Sequence, residues 1–171
     1  GTMTNQPAVI CIGSVLWDII GRCDLTMERG HDRPGRITRL PGGVALNIAM
    51  ALARLGHRPA LVSAVGRDAE GTDLLAQAVA AYQHALQVYT RADHPVHWAM
   101  TQNNLADALR DQAMDSEGVE RARLLAGAVA AKKAALEVYT EVFFPERYAE
   151  SIVWISDIET EIQQLENPVP E

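Results

Sequence analysis

The stretch PGGVALNIAMALARLG, residues 41–56, decides how the first part of this chain is read. Pro41-Gly42-Gly43 opens a helix, VALNIAMALARLG, and Gly56 marks its end. Toward the N-terminus, Arg36 to Leu40 alternates polar and apolar residues, as a half-exposed strand should. Trp17 to Cys23 is a second strand candidate, and the polar stretch from Asp24 to Arg33, with Gly30, reads as a loop. AVICIGS, Ala8–Ser14, is a continuous apolar run ending in Gly-Ser, the pattern of a strand buried on both faces. Toward the C-terminus, Ala60 to Val65 reads as another buried strand, and GRDAEG leads into the next helix. Two apolar strands separated by helix-bearing sequence predict a βαβ unit.

Four short motifs occur here in a fixed order: GSVLWD (Gly13–Asp18), GGVALNIA (Gly42–Ala49), ARLG (Ala53–Gly56) and VGRDAEG (Val65–Gly71). Together they resemble the N-terminal region of the PfkB (ribokinase-like) carbohydrate kinase family, over residues 8–75. The resemblance implies a small, partial ribokinase-like α/β segment and four sugar contacts: Asp18, Gly42, Gly43 and Asn47. The residue types suit that task. A carboxylate just beyond a strand accepts hydrogen bonds from hydroxyls. Two glycines at a helix N-terminus let free backbone N–H groups approach an oxygen ligand. An asparagine one turn inside the helix offers both a donor and an acceptor. The bland alternative stands beside this: the glycines make the turn, while Asp18 and Asn47 satisfy local backbone groups.

Phosphoryl transfer also needs phosphate-cradling groups, a metal-charge arrangement and a base for the attacking hydroxyl. By the same resemblance these belong to the family's C-terminal half, including a Gly-Ala-Gly-Asp-type motif. No Gly-x-Gly-Asp follows Gly71, and no P-loop string occurs. The expectation is therefore no enzyme activity from this chain as it stands and no cofactor.

From Leu74 the sequence changes character. LLAQAVAAYQHALQVYT (74–90) and LLAGAVAAKKAALEVYT (124–140) agree at 12 of 17 positions at an offset of 50. The register continues: Pro95 falls on Pro145, Trp98 on Tyr148, Leu105 on Ile155 and Asp107 on Asp157. A fixed offset over this length predicts duplicated helical hairpins, because one unit alone cannot bury its apolar face. AVAAYQHALQVYT and WAMTQNNL resemble the tetratricopeptide (TPR) repeat in its long-helix bacterial form, and the resemblance implies a concave surface that binds a peptide or protein. Unit two departs from it at Lys132, which stands in place of the tyrosine, and at YAESIVWI. Asn103 and Asn104 read either as ligand-facing amides or as groups satisfying neighbouring helices. Leu74-Leu75 fits both patterns, so the chain is expected to cross from one part to the other inside one continuous helix.

Composition bounds the partners. Residues 1–73 carry 8 basic and 7 acidic side chains, and residues 74–171 carry 7 and 15, so the helical part is strongly acidic and nucleic acid is excluded as a partner. No apolar run approaches membrane-span length, and no signal peptide precedes Ala8, so a cytoplasmic protein is expected. Gly1-Thr2 read as cloning residues, Cys11 and Cys23 as free thiols, and the five histidines show no metal-ligand clustering.

These readings give an α+β chain: a truncated PfkB-like segment at 3–73, two TPR-like hairpins at 74–166 and a tail at 167–171. The function expected first is a non-catalytic assembly or protein-interaction module. The alternatives are vestigial sugar or nucleoside binding, or the substrate-binding half of a split PfkB-type kinase. A homodimer through the N-terminal strands is expected, around Trp17–Cys23 and Arg36–Leu40, because uncovered strand edges offer unpaired N–H and C=O groups.

Overall fold

The strand, turn and helix signals around Gly42 resolve into nine elements in a computed structural model, which describes residues 9–26, 28–30, 32, 34–57 and 59–167. The tail beyond Asn167, the first eight residues and Arg33 lie outside the described residues. The chain divides into two units, Gly1–Gly66 and Arg67–Glu171.

Unit 1 contains β1 (Val9–Ile12), β2 (Leu16–Arg22), β3 (Arg36–Gly42), α1 (Val44–Arg54) and β4 (Pro59–Val62). β1 and β4 pair in parallel, with Cys11 opposite Leu61, and α1 is the crossover helix that precedes β4. β2 and β3 form a separate antiparallel ribbon in which Asp18 lies opposite Leu40 and Leu16 opposite Gly42. α1 lies close to β1 because its inward face is small: Ala45 and Ala49 are buried with Cys11, and Leu52 and Leu61 flank them.

Two burial expectations are corrected here. The apolar run of β1 is not buried on both faces; Ile10 is 59% exposed and Ile12 77%. A parallel strand is buried by strands on both edges and helices on both faces. β1 pairs only with β4, and α1 covers Cys11. β3 does not alternate either: it is exposed from Arg36 to Leu40, and burial begins at Pro41.

Unit 2 is helical: α2 (Ala69–Val88), α3 (Pro95–Met114), α4 (Gly118–Leu136) and α5 (Pro145–Glu166). α2 starts where the Asp68 carboxylate caps it, accepting the Gly71 N–H at 2.8 Å, and it runs without a break past residues 73 and 74. Consecutive helices pack on one another and run antiparallel. Ala99 near the start of α3 packs with Ala135 near the end of α4, and Ala113 at the other end packs with Leu124 and Leu125.

The 50-residue duplication is carried into the backbone. Pro95 and Pro145 each occupy the first turn of a helix, where a missing N–H costs nothing. The preceding residues, His94 and Phe144, have nearly the same dihedrals, and each N–H bonds back to a threonine carbonyl, Thr90 at 2.9 Å and Thr140 at 2.8 Å. The core is richest around α4, where Leu125 and Tyr139 are almost fully buried. Burying such a leucine contributes on the order of 2 kcal/mol.

Lys132, the departure from the repeat, is an internal cation. Its side chain is 7% exposed; Nζ donates to Asp107 and to Asn103 Oδ1, both at 2.9 Å, and stands over the Trp154 ring. Asn103 is thus one of the amides that satisfy a neighbouring helix, and its Nδ2 also donates to Asp107. Asp107 is 50% exposed and can be rehydrated, whereas the ammonium cannot. Asp107→Ala should therefore cost ~2–3 kcal/mol by leaving a buried charge under-paired, while Lys132→Met should stay within ~1 kcal/mol of the parent. Urea-denaturation midpoints of the two variants test this asymmetry.

Candidate substrate-binding site

The turn from β3 into α1 is built from residues that admit no side chain. Gly43, the residue before α1, has φ +102°, a region that L residues rarely adopt, and a Cβ there would stand 2.5 Å from the Ser14 carbonyl oxygen. Gly42 is buried at the end of β3, and a Cβ on it would collide with the Asp18 carboxylate. Asp18 reaches this point through register: Asp18 and Leu16 lie on one face of the β2–β3 ribbon, opposite Leu40 and Gly42.

Asp18, Gly42 and Gly43 are therefore brought together at the N-terminus of α1, beside the loop that follows β1. In that loop Gly13 N–H donates to the Val62 carbonyl at 3.1 Å, and Val15 N–H to the Ser63 hydroxyl at 3.2 Å, so β1 and β4 end side by side beneath the site. Asn47 stands one turn into α1, exposed, its N–H bonded to the Gly43 carbonyl at 2.9 Å. Ala45 and Ala49 turn inward from the same helix, so Asn47 occupies the outward side.

Ser14 is the residue that sequence reasoning passed over. Its carbonyl oxygen fixes Gly43, and the signal for it was the Gly-Ser that closes the first apolar run. A cavity of about 410 Å³ adjoins this region, lined by β1 residues including Ile10 and Ile12 together with Ser14, Leu16, Val44 and Ile48. Its lining is mainly aliphatic, so the polar chemistry is confined to the Asp18 end.

The arrangement favours neutral hydroxyl-bearing ligands over phosphates. The amides at a helix N-terminus attract oxygen, while an adjacent carboxylate repels anions and accepts hydrogen bonds from hydroxyls. α2 begins with Asp68 as cap and Glu70 in its first turn, and α4 with Glu117 and Glu120, so neither terminus suits a polyphosphate. Among the described residues, no group of three or more His, Cys, Asp or Glu side chains is placed to hold a metal ion.

The profile of the pfkB family carbohydrate kinases matches residues 6–135. The chain belongs to the PfkB family. Among curated PfkB-like relatives, a pseudouridine kinase of Escherichia coli is 41% identical over 75 residues, which is 44% of this chain and 24% of that protein. A nucleoside kinase of Methanothermobacter thermautotrophicus is 36% identical over 72 residues, 42% of this chain and 23% of that protein. A pseudouridine kinase of Arabidopsis thaliana is 32% identical over 66 residues, 39% of this chain and 18% of that protein. The chain thus spans about a quarter or less of the length of these relatives. No solved structure matches it.

These findings correct the expectation of a non-catalytic assembly module. The PfkB match does not stop where the repeat begins but runs on to residue 135, and the relatives are named as pseudouridine, nucleoside and sugar kinases. No family match carries the tetratricopeptide reading of residues 74–166. No helix among the described residues is long and apolar enough to cross a membrane.

The contact between Asp18 and Gly42 is testable directly. Gly42→Ala should destabilise the protein by about 1–3 kcal/mol through overpacking. In an Asp18→Ala background the same change should cost much less, because the obstructing carboxylate is gone. A double-mutant cycle on thermal stability measures that coupling.

Proposed function

We propose that this chain is the substrate-binding part of a PfkB-type kinase and that its ligand is a nucleoside, held through ribose hydroxyls. The observation that carries the reading is the Asp18 carboxylate lying against Gly42 at the N-terminus of α1. In this reading Asp18 accepts hydrogen bonds from one or two ribose hydroxyls. The free N–H groups that follow Gly43 meet a ribose oxygen, and Asn47 reaches a further hydroxyl from the next turn. Two pseudouridine kinases and a nucleoside kinase among the relatives support a nucleoside as the ligand, beside one relative named as a sugar kinase.

Phosphoryl transfer would then require PfkB segments other than these residues. The residues present do not fit a nucleotide triphosphate, because an acidic side chain stands at the starts of α1, α2 and α4. Those segments bring the phosphate cradle, the metal-binding groups and the base. The helices of residues 74–166 serve in this reading as tetratricopeptide-like hairpins that accompany the substrate-binding part.

Calorimetry with pseudouridine, uridine, ribose and fructose tests the ligand. A nucleoside should bind, and Asp18→Ala should weaken it at least about tenfold, or ~1.4 kcal/mol. Absence of binding by every nucleoside would refute the reading. A coupled ADP-release assay should show nucleoside-dependent turnover only when a polypeptide carrying the remaining PfkB segments is added.

The β2–β3 ribbon supports a homodimer. Ile19 and Ile37 are 69% and 74% exposed and share the face opposite Asp18, so a second copy covering them leaves the carboxylate open to ligand. At concentrations below a micromolar, Ile19→Asp should reduce the mass seen by light scattering from two chains to one without changing nucleoside affinity.

A further inference from the structure

Unit 2 makes one kind of helix contact internally and leaves both halves of it uncovered at its ends. α4 lies between α3 and α5, whereas α2 packs chiefly on α3. Across the α3–α4 contact, Ala99 packs with Ala135, Ala106 packs with Ala131, and Asp107 and Asn103 hold Lys132.

The 50-residue offset maps each side of that contact onto an end of the unit. The α4 side, Ala131, Lys132 and Ala135, maps onto Ala81, Tyr82 and Ala85 of α2. The α3 side, Ala99, Asn103, Ala106 and Asp107, maps onto Ala149, Val153, Ser156 and Asp157 of α5. Ala99, Ala106 and Ala135 are fully buried, but Ala81, Ala149, Ser156 and Asp157 are exposed, Val153 is 61% exposed, and Tyr82 and Ala85 are only half-buried.

We propose that α5 of one copy packs on α2 of the next, repeating the α3–α4 contact between molecules. Small residues again meet small residues, so the helices approach closely, and Asp157 faces the Tyr82 hydroxyl as Asp107 faces Lys132. A second copy is the fitting occupant because α5 is the helix of this chain that repeats α3 in register, from Pro145 on Pro95 to Asp157 on Asp107. Charge agrees. α5 is rich in glutamate, but from Leu74 to Val88 α2 has no Asp, Glu, Lys or Arg, so the acidic helix meets no like charge along that stretch. Val153 stands where Asn103 binds Lys132, and it suits the aromatic ring of Tyr82 as asparagine suits an ammonium.

The contact is head-to-tail. It leaves one unused face on each terminal copy and therefore grows into a chain or closes into a ring. It uses no residue of the nucleoside site and goes beyond that function.

Sedimentation equilibrium on the full chain carrying Ile19→Asp, which removes the β2–β3 contact, and on the same chain with Ala81→Glu or Val153→Glu added tests it, with circular dichroism verifying that the helices are kept at these two exposed positions. The weight-average mass of the parent should rise with concentration across the micromolar to submillimolar range. Either variant should lose that rise, and an equal mixture of the two should regain it only as far as a pair, because each supplies the one face that the other lacks. A symmetric contact through α2 or α5 would not be restored by mixing. A contact through β2 and β3 would not be lost in either variant. Either of those results, or a parent that keeps the mass of one chain throughout, overturns the proposal.

Discussion

At Gly43 the backbone leaves the β2–β3 ribbon and enters α1 with φ +102°, and unit 1 depends on that turn. A residue with a Cβ would incur ~1–2 kcal/mol of left-handed strain and a collision with the Ser14 carbonyl. The turn sets three things together. It aims α1 so that Ala45 and Ala49 cover Cys11, it brings the chain round to lay β4 beside β1, and it leaves Gly42 under the Asp18 carboxylate. Fold and candidate site are thus two results of one backbone constraint. A site residue on β2 and the helix start it faces are held by the same two glycines.

Much of this was legible before any coordinates. GSVLWD and GGVALNIA name the residues, and glycine pairs at a predicted helix start announce a turn that excludes side chains. What the motifs could not show is register. Asp18 meets Gly42 because it pairs with Leu40 across the ribbon, a long-range fact that neither motif contains. Burial was misread for a related reason. The apolar run at β1 has the composition of a central strand, but composition reports what a strand needs, whereas burial reports what its neighbours supply, and here only β4 and α1 supply it. The functional misreading had another source. The duplicated helices give the louder local pattern, and that pattern describes packing rather than chemistry, while the family match extends through the first hairpin and into the second.

The repeat shows how a duplicated unit diverges without losing its frame. Position 82 is a tyrosine and position 132 a lysine, and their surroundings differ in the matching way. Lys132 sits between α3 and α5, where Asp107, Asn103 and the face of Trp154 compensate its charge. Tyr82 packs chiefly on α3; burial raises its pKa above the usual phenol value, and the nearby Asp107 charge adds to that, so it stays a neutral donor. Asp107 is thus shared between the two positions and couples successive helices through one carboxylate. Burial with a negative neighbour acts on Asp111 as well, raising its pKa although Arg110 opposes the shift. The proton-binding form is favoured in the folded state there, so Asp111 contributes stability below its folded pKa that is lost as pH rises.

The two carboxylates that matter most, Asp18 and Asp107, do opposite work with the same functional group. Asp107 accepts from a cation that has nowhere else to go, so its value lies in preventing an uncompensated charge, and an apolar replacement of the cation would make it dispensable. Asp18 lies at an exposed helix start beside a glycine that leaves room for its carboxylate and for nothing bulkier. The space given up there sets the Asp18 carboxylate beside the start of α1, where a negative charge opposes phosphates and accepts from hydroxyl donors.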